Sequence, residues 1–104
     1  MRRLHRHPCG VIYTQEFADH LAALQREEAA EHDGDVLSID YIRCASGPQA
    51  GSEWYQLSWI TPPHNVQRDQ FLLGSTWVHL HPQTRRALKR RCLHFDGSRV
   101  IVRA

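Results

Sequence analysis

The sequence predicts a single α+β domain, in which an N-terminal amphipathic helix and a short basic helix pack on a mostly antiparallel sheet of four to six strands. Three observations lead to this class. One early stretch has the 3.6-residue apolar period of a helix, several later stretches alternate apolar and polar residues as strands do, and glycine- or proline-rich turns separate them. With 104 residues, the chain has room for one modest hydrophobic core.

Residues 15–32 are predicted to form the amphipathic helix. Phe17, Leu21 and Leu24 recur at the spacing of one helix face. Thr14 precedes them, and threonine is a residue type that caps helix N-termini. Several acidic residues follow near the end of this stretch, which we interpret as a solvated helix end or, alternatively, as an acidic patch for a basic partner.

Three strands are predicted around this helix. The short apolar run of residues 9–13 precedes it, and residues 36–44 and 54–60, in which every second residue is apolar, follow it. The polar, glycine-rich segment 46–52 favours a hairpin with a long loop between the last two strands. The single domain spans residues 1–104, and residues 1–8 can form a flexible basic arm of it.

The second helix is predicted to follow a further strand. Residues 66–73 are ambiguous between a strand and a short helix, and a strand is favoured because Gly74-Ser75 can make a tight turn into the strand at 76–81. Pro82 suits the first turn of a helix, and residues 83–91 contain good helix formers without another breaker. The spacing therefore predicts a short basic helix with a narrow apolar stripe.

A last hairpin is predicted around Asp96-Gly97, which is a strong signal for a tight turn. A two-residue loop would place Phe95 opposite Ser98 and Leu93 opposite Val100. The core face would then carry Leu93, Phe95, Val100 and Val102, and a mostly wet face would carry Cys92, His94, Arg99, Ile101 and Arg103.

The charges are distributed unevenly along the chain. Residues 11–53 carry nine acidic and two basic side chains, whereas residues 54–104 carry eight basic and two acidic ones. If these segments lie on different sides of the fold, one face attracts polyanions and the other repels them. Alternatively, the two segments partly neutralise each other. The twelve arginines and single lysine indicate a GC-rich genome, such as that of a bacterium or phage.

The predicted basic helix and the strand before it provide the candidate binding site. Cationic side chains can contact phosphates, and an exposed tryptophan or histidine can stack on an unpaired base. The candidate residues are Arg85, Arg86, Lys89, Arg90, Arg91, Trp77, His79 and His81. Alternatively, the arginines pair with the acidic helix and Trp77 belongs to the core.

Pairs of metal-binding residue types occur at i, i+2 spacing, which places two side chains on one face of a strand. Zinc prefers nitrogen and sulfur ligands, but the paired elements that mark zinc sites are missing from the sequence. We therefore expect no metal and no other cofactor. If a metal were bound, its ligands would be His79, His81, Cys92 and His94.

These features predict a small non-enzymatic binding protein, encoded by a phage or mobile element, that engages nucleic acid or a nucleic-acid-processing protein complex. One alternative is a host-directed inhibitor of the anti-CRISPR type that acts by protein–protein contact. Another is a metal-independent ribonuclease toxin, for which His79, His81, Arg85 and Arg86 would be the catalytic candidates.

The sequence also bears on location. No apolar run approaches the roughly 18 residues of a membrane span, and the N-terminus lacks the apolar core of a secretory signal. Three cysteines, an odd number, do not form a disulfide framework. We therefore expect a cytoplasmic protein with reduced thiols and no membrane partner, and the sequence does not indicate its oligomeric state.

Overall fold

A computed structural model describes residues 4–43, 45–48, 50–51, 53–61 and 69–103. Its helices are α1 (Gln15–Glu28), which is followed by a 3-10 turn over Ala29–His32, and α2 (Pro82–Ala87). Its strands are β1 (Leu4–Arg6), β2 (Ile12–Thr14), β3 (Val36–Arg43), β4 (Glu53–Ile60), β5 (Gln70–Leu73), β6 (Thr76–His79), β7 (Cys92–Phe95) and β8 (Val100–Arg103). Together they form a small single-domain α+β fold.

The strands form two sheets of four strands instead of the single sheet that we predicted. The strand orders are β1-β2-β7-β8 and β4-β3-β6-β5. Four of the pairings are antiparallel, while β2–β7 and β3–β6 are parallel. Each helix carries the chain from one sheet to the other, because α1 joins β2 to β3 and α2 joins β6 to β7. Periodicity alone cannot reveal this division, since it indicates which face of a strand is apolar but not which sheet the strand joins.

Helix α1 confirms the predicted cap and apolar stripe. The Thr14 hydroxyl accepts a hydrogen bond from the Phe17 N–H at 3.2 Å, Phe17 and Leu21 are fully buried, and Leu24 packs against the core. The core takes residues from α1, from both sheets and from the turn after α2. No helix in the described part of the chain is long and apolar enough to cross a bilayer.

The β3–β4 hairpin has the predicted alternation. Leu37 pairs with Trp59 and Ile39 pairs with Leu57, and all four side chains pack on the core. The tight turn at Gly74 is also confirmed, because the flanking residues of β5 and β6 pair directly and Gly74 has a φ of +67°. In contrast, β1 was not predicted. It pairs with β2 over residues that we had interpreted as part of a flexible arm.

Helix α2 ends four residues earlier than predicted. Leu88 is fully buried and caps the helix, and the chain then turns so that β7 can begin at Cys92. Arg90 takes a left-handed backbone conformation with a φ of +66°, which no continuing helix allows. The predicted basic helix is therefore a helix of only six residues, followed by a turn that carries basic side chains.

The β7–β8 hairpin exists, but its predicted register is wrong by two residues. Phe95 pairs with Val100, and four residues connect the strands. One oxygen of the Asp96 carboxylate accepts hydrogen bonds from the N–H groups of Ser98 and Arg99, both at 2.9 Å, and so closes a wider turn than the predicted one. A shift of two residues leaves the predicted faces unchanged. However, His94 on the predicted wet face is buried, because the start of α1 covers it.

Candidate nucleic-acid interface

Four basic residues lie at the end of α2 and in the turn that follows it: Arg86, Lys89, Arg90 and Arg91. We call them the basic turn. Arg86, Lys89 and Arg90 are exposed, and none of these three has an acidic partner among the residues that the structure describes. The alternative that they pair with acidic α1 is thus not seen in the described chain. Unpaired, exposed cations are available for a polyanion.

Arg85 was predicted to join this surface but lies away from it. Its guanidinium pairs with Asp69 at 2.9 Å and lies over the ring of Phe71, 4.9 Å from the ring centroid. Its Nε atom is buried. Arg85 therefore fixes α2 against β5, and we interpret its role as structural.

Tyr55 holds the basic turn next to the start of β4. Its hydroxyl donates to the carbonyl of Ala87 at 3.4 Å and accepts from Nη1 of Arg91 at 3.5 Å. Trp54 is the neighbouring residue in β4, and 42% of its surface is exposed. Trp54, Tyr55 and Arg91 all line one groove at this corner of the fold.

A groove of about 720 Å³ extends from this corner between β4 and β8, which are edge strands of the two sheets. We call it the edge groove. Its lining comprises His20, Leu24 and Glu28 of α1, Leu37, residues 54–59, Arg91 and residues 98–102. The groove thus has both polar and apolar side chains in its lining, and it lies between two strand edges that have no neighbouring strand in their own sheets among the described residues.

The charged groups that line the edge groove favour an anion. Arg91 and Arg99 face one carboxylate, that of Glu28, which accepts a hydrogen bond from Nε1 of Trp59 at 2.9 Å. Arg99 is 81% exposed, and its guanidinium lies 4.0 Å from the Asp96 carboxylate. Burial lowers the pKa of His20, so this ring is neutral near pH 7. Arginines therefore outnumber carboxylates among the residues of this groove.

Trp77 lies elsewhere on the fold. It is 56% exposed on the outer face of the second sheet, so it does not belong to the core. The β3–β6 register places it beside Val36 at the start of β3, whereas Tyr55 pairs with Tyr41 near the end of that strand. Five residues of strand separate these levels, a distance of about 16 Å. The predicted proximity of Trp77 to the basic turn is not observed.

His79 and His81 line a separate cleft of about 300 Å³ together with Ser38 and Asp40. The Nδ1 atom of His81 accepts a hydrogen bond from the Gln83 N–H at 3.1 Å and caps α2, so a proton on this nitrogen would break the cap. Neither Arg85 nor Arg86 is among the residues that line the cleft. The four residues proposed for a ribonuclease are therefore not brought together.

The four candidate metal ligands are also divided. His79 and His81 lie at the end of β6 in the second sheet, whereas Cys92 and His94 belong to β7 in the first. Within the described ranges, no group of three or more His, Cys, Asp and Glu side chains is arranged to hold a metal ion.

Three residues of the candidate interface were missed by sequence reasoning: Trp54, Tyr55 and Arg99. Alternation along β4 does place Trp54 on the face opposite Leu57, which is a signal for exposure. The proximity of Tyr55 to Arg91 depends on the packing of α2 against the second sheet, which leaves no local pattern. No known protein family, curated protein or solved structure matches this chain.

Proposed function

We propose that this protein is a small non-enzymatic binding protein that takes single-stranded nucleic acid into the edge groove. One observation carries the proposal: Trp54, of which 42% is exposed, lines the same groove as Arg91 and Arg99, and the turn that carries Arg91 also bears three exposed cations without acidic partners in the described chain. Phosphates would contact the basic turn and Arg99, while a base would stack on Trp54.

A single strand fits this arrangement better than a duplex. Bases in a duplex are paired and stacked on each other, so their faces are not available to a tryptophan side chain. In a single strand the faces are free, and stacking on an aromatic side chain contributes about 1–3 kcal/mol per base. Contacts to phosphates and stacking on an aromatic side chain do not depend on base identity, so binding would tolerate many sequences.

A protein of a nucleic-acid-processing complex is the second candidate partner. The edges of β4 and β8 flank the same groove, and an open strand edge can accept an extended segment of another protein. An inhibitor of the anti-CRISPR type would act through such a contact. The phage or mobile-element origin stays a prediction from composition.

Fluorescence anisotropy with labelled 20-nucleotide RNA, DNA and a matched DNA duplex tests the proposal, at salt concentrations between 50 and 200 mM. We expect the single strands to bind more tightly than the duplex. The double variant R86Q/R90Q should weaken binding to every sequence and lower the salt slope by roughly one unit per lost contact. Its melting temperature should stay close to that of the wild type, because exposed charges contribute only tenths of a kcal/mol.

Arg26→Glu is the matched control. It changes the net charge by the same two units, but Arg26 is an exposed residue of α1 outside the basic turn and the edge groove. An equal loss of affinity in this variant would show that only net charge matters. If the wild type binds no polyanion at 50 mM salt, nucleic-acid binding is wrong and a protein partner becomes the leading candidate.

A further inference from the structure

Strand β5 lies at one edge of the second sheet, whose strand order is β4-β3-β6-β5. The N–H group of Leu80 donates to the carbonyl of Asp69 at 2.8 Å, which continues the β5–β6 ladder by one hydrogen-bonded pair. Bonded and non-bonded pairs alternate along an antiparallel ladder, so β5 directs the N–H and C=O groups of every second residue toward β6. The corresponding groups of Gln70 and Leu72 therefore point outward, and no strand in the described chain pairs with them.

An apolar patch reaches this open edge on the outer face of the second sheet. Leu72 of β5 pairs directly with Trp77 of β6, so the two side chains are neighbours on that face. Leu72 is 40% exposed and Trp77 is 56% exposed. Neither residue lines the edge groove, which follows the opposite edge strand, β4. The proposed nucleic-acid site thus leaves this patch unused.

The open edge of β5 has no charged side chain. Its four residues are Gln-Phe-Leu-Leu, whereas β1, β4 and β8, the other edge strands of the described chain, each contain an acidic or basic residue. Charged residues on an edge strand help to prevent pairing with another chain. Around a two-fold axis each side chain lies close to its own copy, so a charge there would meet a like charge. An uncharged edge is therefore suited to pairing with a second copy of the same chain.

We propose that two copies of this chain associate by antiparallel pairing of their β5 strands. Pairing centred on Phe71 places Gln70 of one copy opposite Leu72 of the other, and each such pair can exchange two hydrogen bonds through its outward groups. The second sheets of the two copies then form one eight-stranded sheet with β4 at both ends. Both edge grooves stay open in this arrangement, so the dimer neither needs nor blocks nucleic-acid binding.

Sedimentation velocity at several protein concentrations up to about 1 mM tests this inference. A four-residue edge makes a small interface, so the dimer should be weak. We expect a Kd between about 10 μM and about 1 mM. A wild type that stays fully monomeric at about 1 mM would overturn the proposal and leave this edge to a different partner.

Leu72→Lys should raise the Kd by about tenfold or more, because it brings two like charges close to the two-fold axis. Its melting temperature should stay close to that of the wild type, since the side chain is exposed. Leu4→Lys is the matched control: it adds the same charge at a leucine that is 62% exposed on β1, an edge strand of the first sheet, and it should dimerise normally. An equal loss in both variants would show that only net charge matters and would overturn the site. The double variant R86Q/R90Q should also dimerise normally, so a failure of nucleic-acid binding is distinguishable from a failure of this contact.

Amide NMR during dilution of the wild type shows which edge is used and needs no variant. The N–H signals of Gln70 and Leu72 should shift with concentration, because these groups gain hydrogen bonds in the dimer. The N–H signals of Phe71 and Leu73 should shift less, since these groups already bind to β6. Concentration-dependent shifts that are confined to another part of the chain would overturn the proposal.

Discussion

The hydroxyl of Tyr55 donates to the carbonyl of Ala87 at 3.4 Å, and this long hydrogen bond joins the last residue of α2 to the first half of β4. It also places the hydroxyl where Nη1 of Arg91 reaches it at 3.5 Å. One side chain of the sheet therefore positions the turn that carries the exposed cations. The candidate interface therefore depends on the hydrogen bonds of this side chain as well as on the charges of the basic turn.

Tyr55→Phe is expected to weaken nucleic-acid binding without removing a charge. The variant loses the hydrogen bond to Ala87, at a cost of about 0.5–1.5 kcal/mol of unfolding free energy. Affinity for a single strand should fall while the slope of log affinity against log salt stays unchanged, because the number of phosphate contacts is the same. Urea unfolding and anisotropy at several salt concentrations measure both. A reduced salt slope would mean that the variant has lost a phosphate contact of Arg91, and that the hydroxyl contributes to binding only by positioning Arg91.

Arg90→Gly is expected to stabilise the fold and weaken the proposed function. Arg90 has a φ of +66°, a conformation that costs an L-residue roughly 1–2 kcal/mol and that glycine adopts freely. The variant should therefore melt at a higher temperature than the wild type while it binds nucleic acid less tightly.

Arg90→Gln is the companion variant, since it removes the charge and keeps the backbone strain. It should lose the same affinity without any gain in melting temperature. A normal affinity in both variants would remove Arg90 from the interface.

Trp54→Ala and Trp77→Ala form a matched pair, because both remove an exposed tryptophan from the same sheet. We expect Trp54→Ala to weaken single-strand binding by about 1–3 kcal/mol, the range for a lost stacking contact. Trp77→Ala should leave affinity nearly unchanged, since Trp77 lies near the other end of β3. Anisotropy with a single-stranded 20-mer distinguishes them, and the reverse order of effects would place the interface near the start of β3.

The turn between β7 and β8 should make the free energy of unfolding depend on pH in the acid range. The pKa of Asp96 is lowered from its ordinary value of 3.8 to about 2 in the folded protein. The ionised carboxylate therefore stabilises the fold at pH values above about 4, and this contribution is lost as the pH falls toward 2. The difference in urea midpoint between wild type and Asp96→Asn should shrink over that interval. A difference that is constant from pH 7 to pH 2 would show that charge at Asp96 does not matter.

Local patterns were sufficient for much of the fold. Thr14 caps α1 as predicted because capping needs only a hydroxyl next to the first free N–H groups. The Gly74 turn was likewise predictable because positive φ favours glycine. The prediction of where α2 ends was wrong, for a different reason. Lys89, Arg90 and Arg91 are good helix formers, but burial of Leu88 and the return of the chain to β7 override that weak preference.

The candidate site shows the same division. The sequence by itself determined that the basic residues after Pro82 are close together in one segment. Most of them are exposed to solvent, because burying an unpaired charge costs free energy. Only the tertiary structure decided which aromatic residue accompanies them. Tyr55 and Ala87 are 32 residues apart in the sequence, and their hydrogen bond arises from two sheets and a crossover helix whose arrangement no local period encodes. For the same physical reason, the burial of His94 beneath Thr14 became visible only in the folded chain, since long-range packing and not strand alternation selects the face that α1 covers.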